Sequence, residues 1–146
     1  MIQLRYAREH GGVPHPYYAT DGAAAFDLVI DNDRGLALDP GSRNKVSTGL
    51  YLEIPAGYGG LLLPRSSVAN LGLSFANAIG LIDSDYRGVV GLVLVNNTSE
   101  VTVLMPYQRV AQMVVVPIPR FDLAEVQLSE LSQTKRGAGG FGSTGA

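Results

Sequence analysis

The chain has no cysteine and no tryptophan, only two histidines, and no apolar run long enough to cross a bilayer. Each shortage removes chemistry. Without cysteine there is no disulfide framework, no thiol nucleophile, no iron–sulfur cluster and no thiolate-bound zinc. The two histidines, His10 and His15, flank glycine and proline and are expected to be loop residues without catalytic duty. Charge is scarce: 16% of residues are Asp, Glu, Lys or Arg, and 11 basic against 13 acidic groups give a net charge of -2. That balance suits a nucleic-acid backbone poorly, so no nucleic-acid partner is expected. Residues 1–6 lack the charged-then-apolar order of a secretory leader. The expectation is a soluble, intracellular, cytoplasmic protein with no membrane partner.

What is present is strand-forming. A length of 146 residues, 46% of them hydrophobic, fits one domain with a real core. Residues 2–7 alternate apolar Ile2, Leu4 and Tyr6 with polar Gln3 and Arg5, the period of a half-buried strand. Short apolar segments recur at 25–30, 50–54, 60–63, 77–82, 89–95, 101–105 and 110–116. Turn-forming clusters such as Asp39-Pro40-Gly41-Ser42 and Asn96-Asn97-Thr98-Ser99 separate them. The pattern predicts an all-β sandwich or barrel. One short helix is expected at 66–72, with a serine cap at its start and Gly72 at its end. Segments 89–95 and 113–118 are apolar on successive residues, which predicts cover on both faces, from a second copy of the protein or from full enclosure. From Lys135 onward glycine dominates. The expected organisation is therefore a barrel domain, 1–134, and a flexible C-terminal arm, 135–146.

Several segments carry groups suited to phosphate. Pro64-Arg65-Ser66-Ser67 sets an arginine and two hydroxyls at a helix start, where the dipole favours an anion; the plainer reading is a capped turn. The tail resembles a phosphate loop but lacks the Gly-Lys-Ser/Thr ending, which excludes a P-loop NTPase. Asp83-Ser84-Asp85-Tyr86-Arg87-Gly88 begins like a calcium loop, yet Arg87 and Leu94 occupy positions that need oxygen ligands. What is left there is a hairpin turn, or a carboxylate at the mouth of a hairpin with Tyr86 as one wall of a pocket. Asp27, and the pair Arg109 and Gln112, interrupt otherwise apolar strands, so each points outward, finds a partner or serves a site.

In chain order, Ala24-Ala25-Phe26-Asp27-Leu28, Pro64-Arg65-Ser66-Ser67, Gly80-Leu81-Ile82-Asp83-Ser84-Asp85-Tyr86-Arg87-Gly88, Arg109-Val110-Ala111-Gln112 and the stretch from Arg136 to Gly145 resemble the five ordered motifs of the trimeric dUTPases. The resemblance spans nearly the whole chain. The chain departs from the family in two places, Ala25 where glycine is commoner and Val89 where many relatives are acidic.

The resemblance implies a jelly-roll-like β-barrel, a homotrimer with shared active sites, and Mg²⁺-assisted hydrolysis of dUTP to dUMP and pyrophosphate. Asp83 then orients the attacking water and contacts the sugar. Asn77, Gly80 and Ile82 lie in the uracil slot, Tyr86 packs under the deoxyribose, and Phe141 is an aromatic lid. Arg65, Ser66, Ser67, Gln112, Arg136, Gly142, Ser143 and Thr144 match phosphate contacts. Asp27 and Gln112 match indirect, water-mediated contacts to Mg²⁺, and Arg109 matches its motif too, with a structural ion pair as the other reading of its role. Two rivals stand beside this reading. One is dCTP deaminase, which shares the fold and would release ammonia. The other is a binding protein on the same scaffold that leaves dUTP intact.

Overall fold

Extended chain whose side chains alternate between inside and outside builds nearly all of the structure, a computed structural model that describes residues 2–140. Ten strands form among these residues: β1 (Arg5–Arg8), β2 (Phe26–Val29), β3 (Leu36–Leu38), β4 (Arg43–Glu53), β5 (Tyr58–Pro64), β6 (Leu73–Phe75), β7 (Gly80–Ile82), β8 (Val89–Asn96), β9 (Thr102–Leu104) and β10 (Arg109–Pro117). All pair antiparallel. One sheet has the order β1-β4-β8-β6, the second β2-β10-β5-β7, and β3-β9 forms a separate ribbon. Consecutive strands from β4 to β8 switch sheet at every step, which makes this a two-sheet jelly-roll-like arrangement rather than a chain of hairpins.

The core is the inward face of both sheets. Leu50, Leu52, Val90, Leu92, Leu94 and Phe75 from the first pack with Phe26, Leu28, Leu62, Val110 and Met113 from the second, and Leu38 and Leu104 of the ribbon close the cluster. The apolar run of β8 resolves into two faces. Val90, Leu92 and Leu94 are buried, while Val89, Gly91, Val93 and Val95 are half-buried. Full enclosure of that strand within one chain is thus not what the fold provides.

Three local expectations are corrected. The strand foreseen over 77–82 is only Gly80–Ile82: Asn77 lies in a turn, and Ala78 takes φ +56°, which ends an extended run. Residues 83–88 are not a hairpin turn, because β7 pairs with β5 whereas β8 lies between β4 and β6 in the other sheet. The helix α1 (Ser66–Asn70) has Arg65 as its N-cap with no side-chain capping bond, so neither serine caps it. Its end is as expected: Gly72 has φ +67°, and a Cβ there would collide with the Thr98 side chain. Beyond β10 the only regular element among the described residues is a 3-10 turn, Leu128–Glu130.

Among the described residues two polar side chains are fully buried, and both are satisfied. The Thr48 hydroxyl donates to the Val90 carbonyl at 2.8 Å. Asn96 donates to the carbonyls of Leu38 and Glu100, each at 2.8 Å, and accepts from the amide and hydroxyl of Thr98, each at 2.9 Å. It thereby ties the end of β8 to β3 and to the turn that follows. Truncation would strand several buried polar groups at once, each costing about 1–3 kcal/mol. Asn96→Ala is expected to lower unfolding stability by about 2–4 kcal/mol in a urea titration at fixed protein concentration.

Candidate functional site

Three sequence motifs meet around one carboxylate. Asp27 on β2 stands opposite Gln112 on β10, and Gln112 in turn stands opposite Leu63 near the end of β5. Arg65, immediately past β5, brings Nε to 3.1 Å from one oxygen of Asp27. Arg109 donates from Nη1 to the other oxygen at 3.0 Å and to the Tyr17 hydroxyl at 3.2 Å. The Asp27 side chain is only 10% exposed, so the pairing is sheltered from solvent screening. One carboxylate between two guanidiniums leaves a local excess of one positive charge, fit for an anion. Gln112 donates from Nε2 to the Pro64 carbonyl at 3.1 Å, which fixes the amide beside this cluster. Ser66 and Ser67 are exposed in the first turn of α1. Arg109, left between two roles by the sequence, here closes an ion pair.

The remaining motif residues divide between two cavities. Asp83 lines one of about 520 Å³ with Gly57, Tyr58, Leu81 and Arg120. It is exposed, and among the described residues no cation pairs with it. Asn77 and Tyr86 line another of about 430 Å³ with Lys45, Ser47, Val89 and Val93. Gly80 is buried against Leu62, where a Cβ would sit 3.1 Å from that side chain's own Cβ, and Ile82 packs against the core. The Tyr86 hydroxyl donates to the Val89 carbonyl at 3.0 Å. Arg136 is exposed and donates to the Gly139 carbonyl at 2.8 Å. Phe141, Gly142, Ser143 and Thr144 lie outside the described residues.

Register shows which groups a single chain brings together. Ile82 pairs with Gly60, so Asp83 stands level with Gly59, six residues back along the chain from Arg65. At about 3.3 Å per residue of strand, roughly 20 Å separates the two levels. Gln112, opposite Leu63, lies about 13 Å along the strand from the level of Asp83, with β5 in between. Within one chain Asp83 therefore does not meet Arg65, Asp27 or Gln112.

Metal binding was tested against the donors. Among the described residues no three His, Cys, Asp or Glu side chains cluster for a cation. Both oxygens of Asp27 are engaged by arginine, which leaves it less free to hold a cation directly. The donor set fits Mg²⁺ carried on a polyphosphate with retained water, the mode that ion favours.

Sequence reasoning missed Tyr17, Arg120 and the pair Glu9–Tyr51. Tyr17 is 92 positions from Arg109, and no local pattern announces such a contact. The Tyr51 hydroxyl donates to the Glu9 carboxylate. That bond, then partial loss of water, then the charges of Glu9 and Tyr86, raise the Tyr51 pKa above its ordinary value of about 10. His10 and His15 serve loops, as expected: His10 bonds Asp31 at 3.0 Å and accepts the Gly12 amide, and His15 bonds the Tyr6 hydroxyl at 2.7 Å.

A family model described as dUTPase matches residues 12–145. The chain is 50% identical over 131 residues to the deoxyuridine 5'-triphosphate nucleotidohydrolase of Anaeromyxobacter sp. (strain Fw109-5), covering 89% of this chain and 86% of that protein. The structure of Staphylococcus bacteriophage 80alpha dUTPase with dUPNHPP matches over 100% of both chains, with TM-score 0.85 and 25% identity. A mutant dUTPase from phage phi11 of S. aureus, described with a coordinated structural Mg(II) ion, shares the fold at TM-score 0.77 and 23% identity, over 89% of this chain and 100% of that one.

A raised phenol pKa means that the Tyr51–Glu9 bond contributes stability fully present below the ordinary tyrosine range and lost as pH rises through the folded value. The stability difference between wild type and Tyr51→Phe is expected to be constant from about pH 7 to 9 and to shrink above about pH 10. Denaturant titrations across that range measure it.

Proposed function

The chain belongs to the dUTPase family, and from that premise we propose that it hydrolyses dUTP to dUMP and pyrophosphate by Mg²⁺-assisted attack of water on the α-phosphorus, in a homotrimer whose neighbouring copies share each active site. The observation that carries this reading is the free carboxylate of Asp83: exposed on a cavity, unpaired among the described residues, and able to accept a hydrogen bond from a water. An aspartate is a weak base near neutrality, so its contribution is to align that water for in-line attack. Arg65, with Ser66, Ser67 and Gln112 around it, receives the phosphates, and Asp27 keeps Arg65 and Arg109 oriented while tempering their repulsion. Mg²⁺, when bound, supplies charge neutralisation on the phosphate oxygens.

Base and sugar are read by the segment that runs from Asn77 to Tyr86. Backbone groups of residues 77–82 meet the uracil edge, with Asn77, Gly80 and Ile82 forming the slot; cytosine would leave buried polar groups unpaired there. Tyr86 stands against the deoxyribose and leaves no room for a 2'-hydroxyl. In the arm, Arg136, Gly142, Ser143 and Thr144 hold the terminal phosphate and Phe141 covers the base. The product dUMP can supply thymidylate synthesis, and removal of dUTP limits uracil in DNA. The reading keeps the enzyme soluble and cytoplasmic; among the described residues no helix is long and apolar enough to cross a membrane.

Two observations support the shared site. The roughly 20 Å along β5 keeps Asp83 from Arg65 in one chain. Apolar groups also await cover: the outer face of β8 is half-buried, and Phe121, Leu123 and Leu128 are 79%, 93% and 86% exposed.

A panel of dUTP, UTP, dTTP and dCTP with Mg²⁺ is expected to release pyrophosphate from dUTP alone; ammonia from dCTP would instead favour the deaminase. Asp83→Asn is expected to lower kcat by about 10²- to 10⁴-fold while still binding a non-hydrolysable dUTP analogue. Inactive Asp83→Asn and Arg65→Ala subunits, unfolded and refolded together in equal amounts, should recover about a quarter of wild-type activity, since each of two contributing copies has an even chance of being intact. A mixture as inactive as its parts would mean that each site is built within one chain.

A further inference from the structure

Tyr51 is the residue at which β4 regains register after a bulge. Ser47 pairs with Gly91 and Tyr51 with Val89, so four steps of β4 span two of β8. The surplus is taken up at Gly49, whose φ of +65° a side chain would strain and whose Cβ would lie 2.5 Å from Val13 Cγ2. Glu9 holds this bulge at its middle and at its far end. Its amide donates to the Gly49 carbonyl at 2.7 Å, and its carboxylate accepts the Tyr51 hydroxyl. Directly across the ladder, the Val89 carbonyl accepts the Tyr86 hydroxyl at 3.0 Å.

Tyr86 itself has little else to fix it. It is 44% exposed, and its ring folds back over Gly88, where any Cβ would collide with its hydroxyl. Its tip is anchored by one carbonyl, so its position follows that of Val89. Val89 pairs with Tyr51 across the ladder, and Glu9 holds the Tyr51 hydroxyl. We propose that Glu9 and Tyr51 are positioning residues for Tyr86 and thereby set how strictly the site refuses a sugar bearing a 2'-hydroxyl. The role of Tyr86 as the sugar wall rests on the dUTPase reading above; the mechanical link from Glu9 to Tyr86 does not.

The test uses the full-length chain and three variants: Tyr51→Phe, Glu9→Ala and Glu9→Gln. The ratio of kcat/KM for dUTP over UTP is expected to fall about five-fold in Tyr51→Phe and Glu9→Ala, the size of one lost hydrogen bond. Glu9→Gln keeps an acceptor oxygen and should restore most of it. Ring-labelled tyrosine NMR of the nucleotide-free protein supplies a readout independent of turnover. The Tyr86 signal, identified by its loss in Tyr86→Phe, should shift in Tyr51→Phe and Glu9→Ala and return toward wild type in Glu9→Gln. An unmoved Tyr86 signal overturns the positioning, and an unchanged substrate ratio overturns its effect on the sugar. Equal losses in Glu9→Gln and Glu9→Ala overturn the role of the acceptor. If Tyr51→Phe does not fold, the two Glu9 variants carry the comparison. A wild type that leaves dUTP intact refutes the enzymatic reading alone, and the NMR shift still decides the link.

Discussion

A β-strand has nearly fixed length, and here that inextensibility governs everything downstream. Strand β5 joins two neighbours, β10 and β7, and carries a different part of the chemistry at each end. Just past its end, Arg65 meets Asp27, which Arg109 also holds; near its start, the ladder to β7 delivers Asp83. Side-chain rearrangement does not span roughly 20 Å of pleated backbone, since even a long arginine reaches a fraction of that. Within one chain Asp83 and the arginines are therefore held apart, and that separation is what the proposed sharing of a site between copies answers.

The two halves are built by different physics. Around Asp27 the constraint is electrostatic. A nearly buried carboxylate is costly unless paired, and pairing it with two guanidiniums both removes that cost and leaves positive charge over for an anion. Around Tyr86 the constraint is geometric: a bulge, a glycine without a Cβ and a single carbonyl define where a ring stands. Asp83 belongs to neither network, and that isolation is what the proposed water-orienting role would use.

Much of this was legible in the residues. The strand segments at 60–63, 89–95 and 110–116 fall within observed strands, and those at 50–54 and 101–105 overlap them, because alternating or continuous apolar character reports burial directly. Strand β3, the first half of β4 and strand β6 were not legible; they are short or polar on one side and owe their conformation to partners far along the chain. The error at 77–82 has the same origin. Its composition is that of a strand, but Ala78 turns the chain from one sheet to the other, and the identity of the sheet is not written in a local window.

By itself the sequence determined the all-β class, the exclusion of thiol chemistry, and the ordered motifs that name the family, since each of these depends only on residue type and spacing. The tertiary structure alone decided that Asp27 is clasped by Arg65 and Arg109, that Tyr17 and Glu9 have partners 92 and 42 positions away, and that Asp83 stands apart from all of them. The reason is that sheet register, not proximity in sequence, sets which side chains share a space, and register is fixed only when both faces of the barrel have found their core.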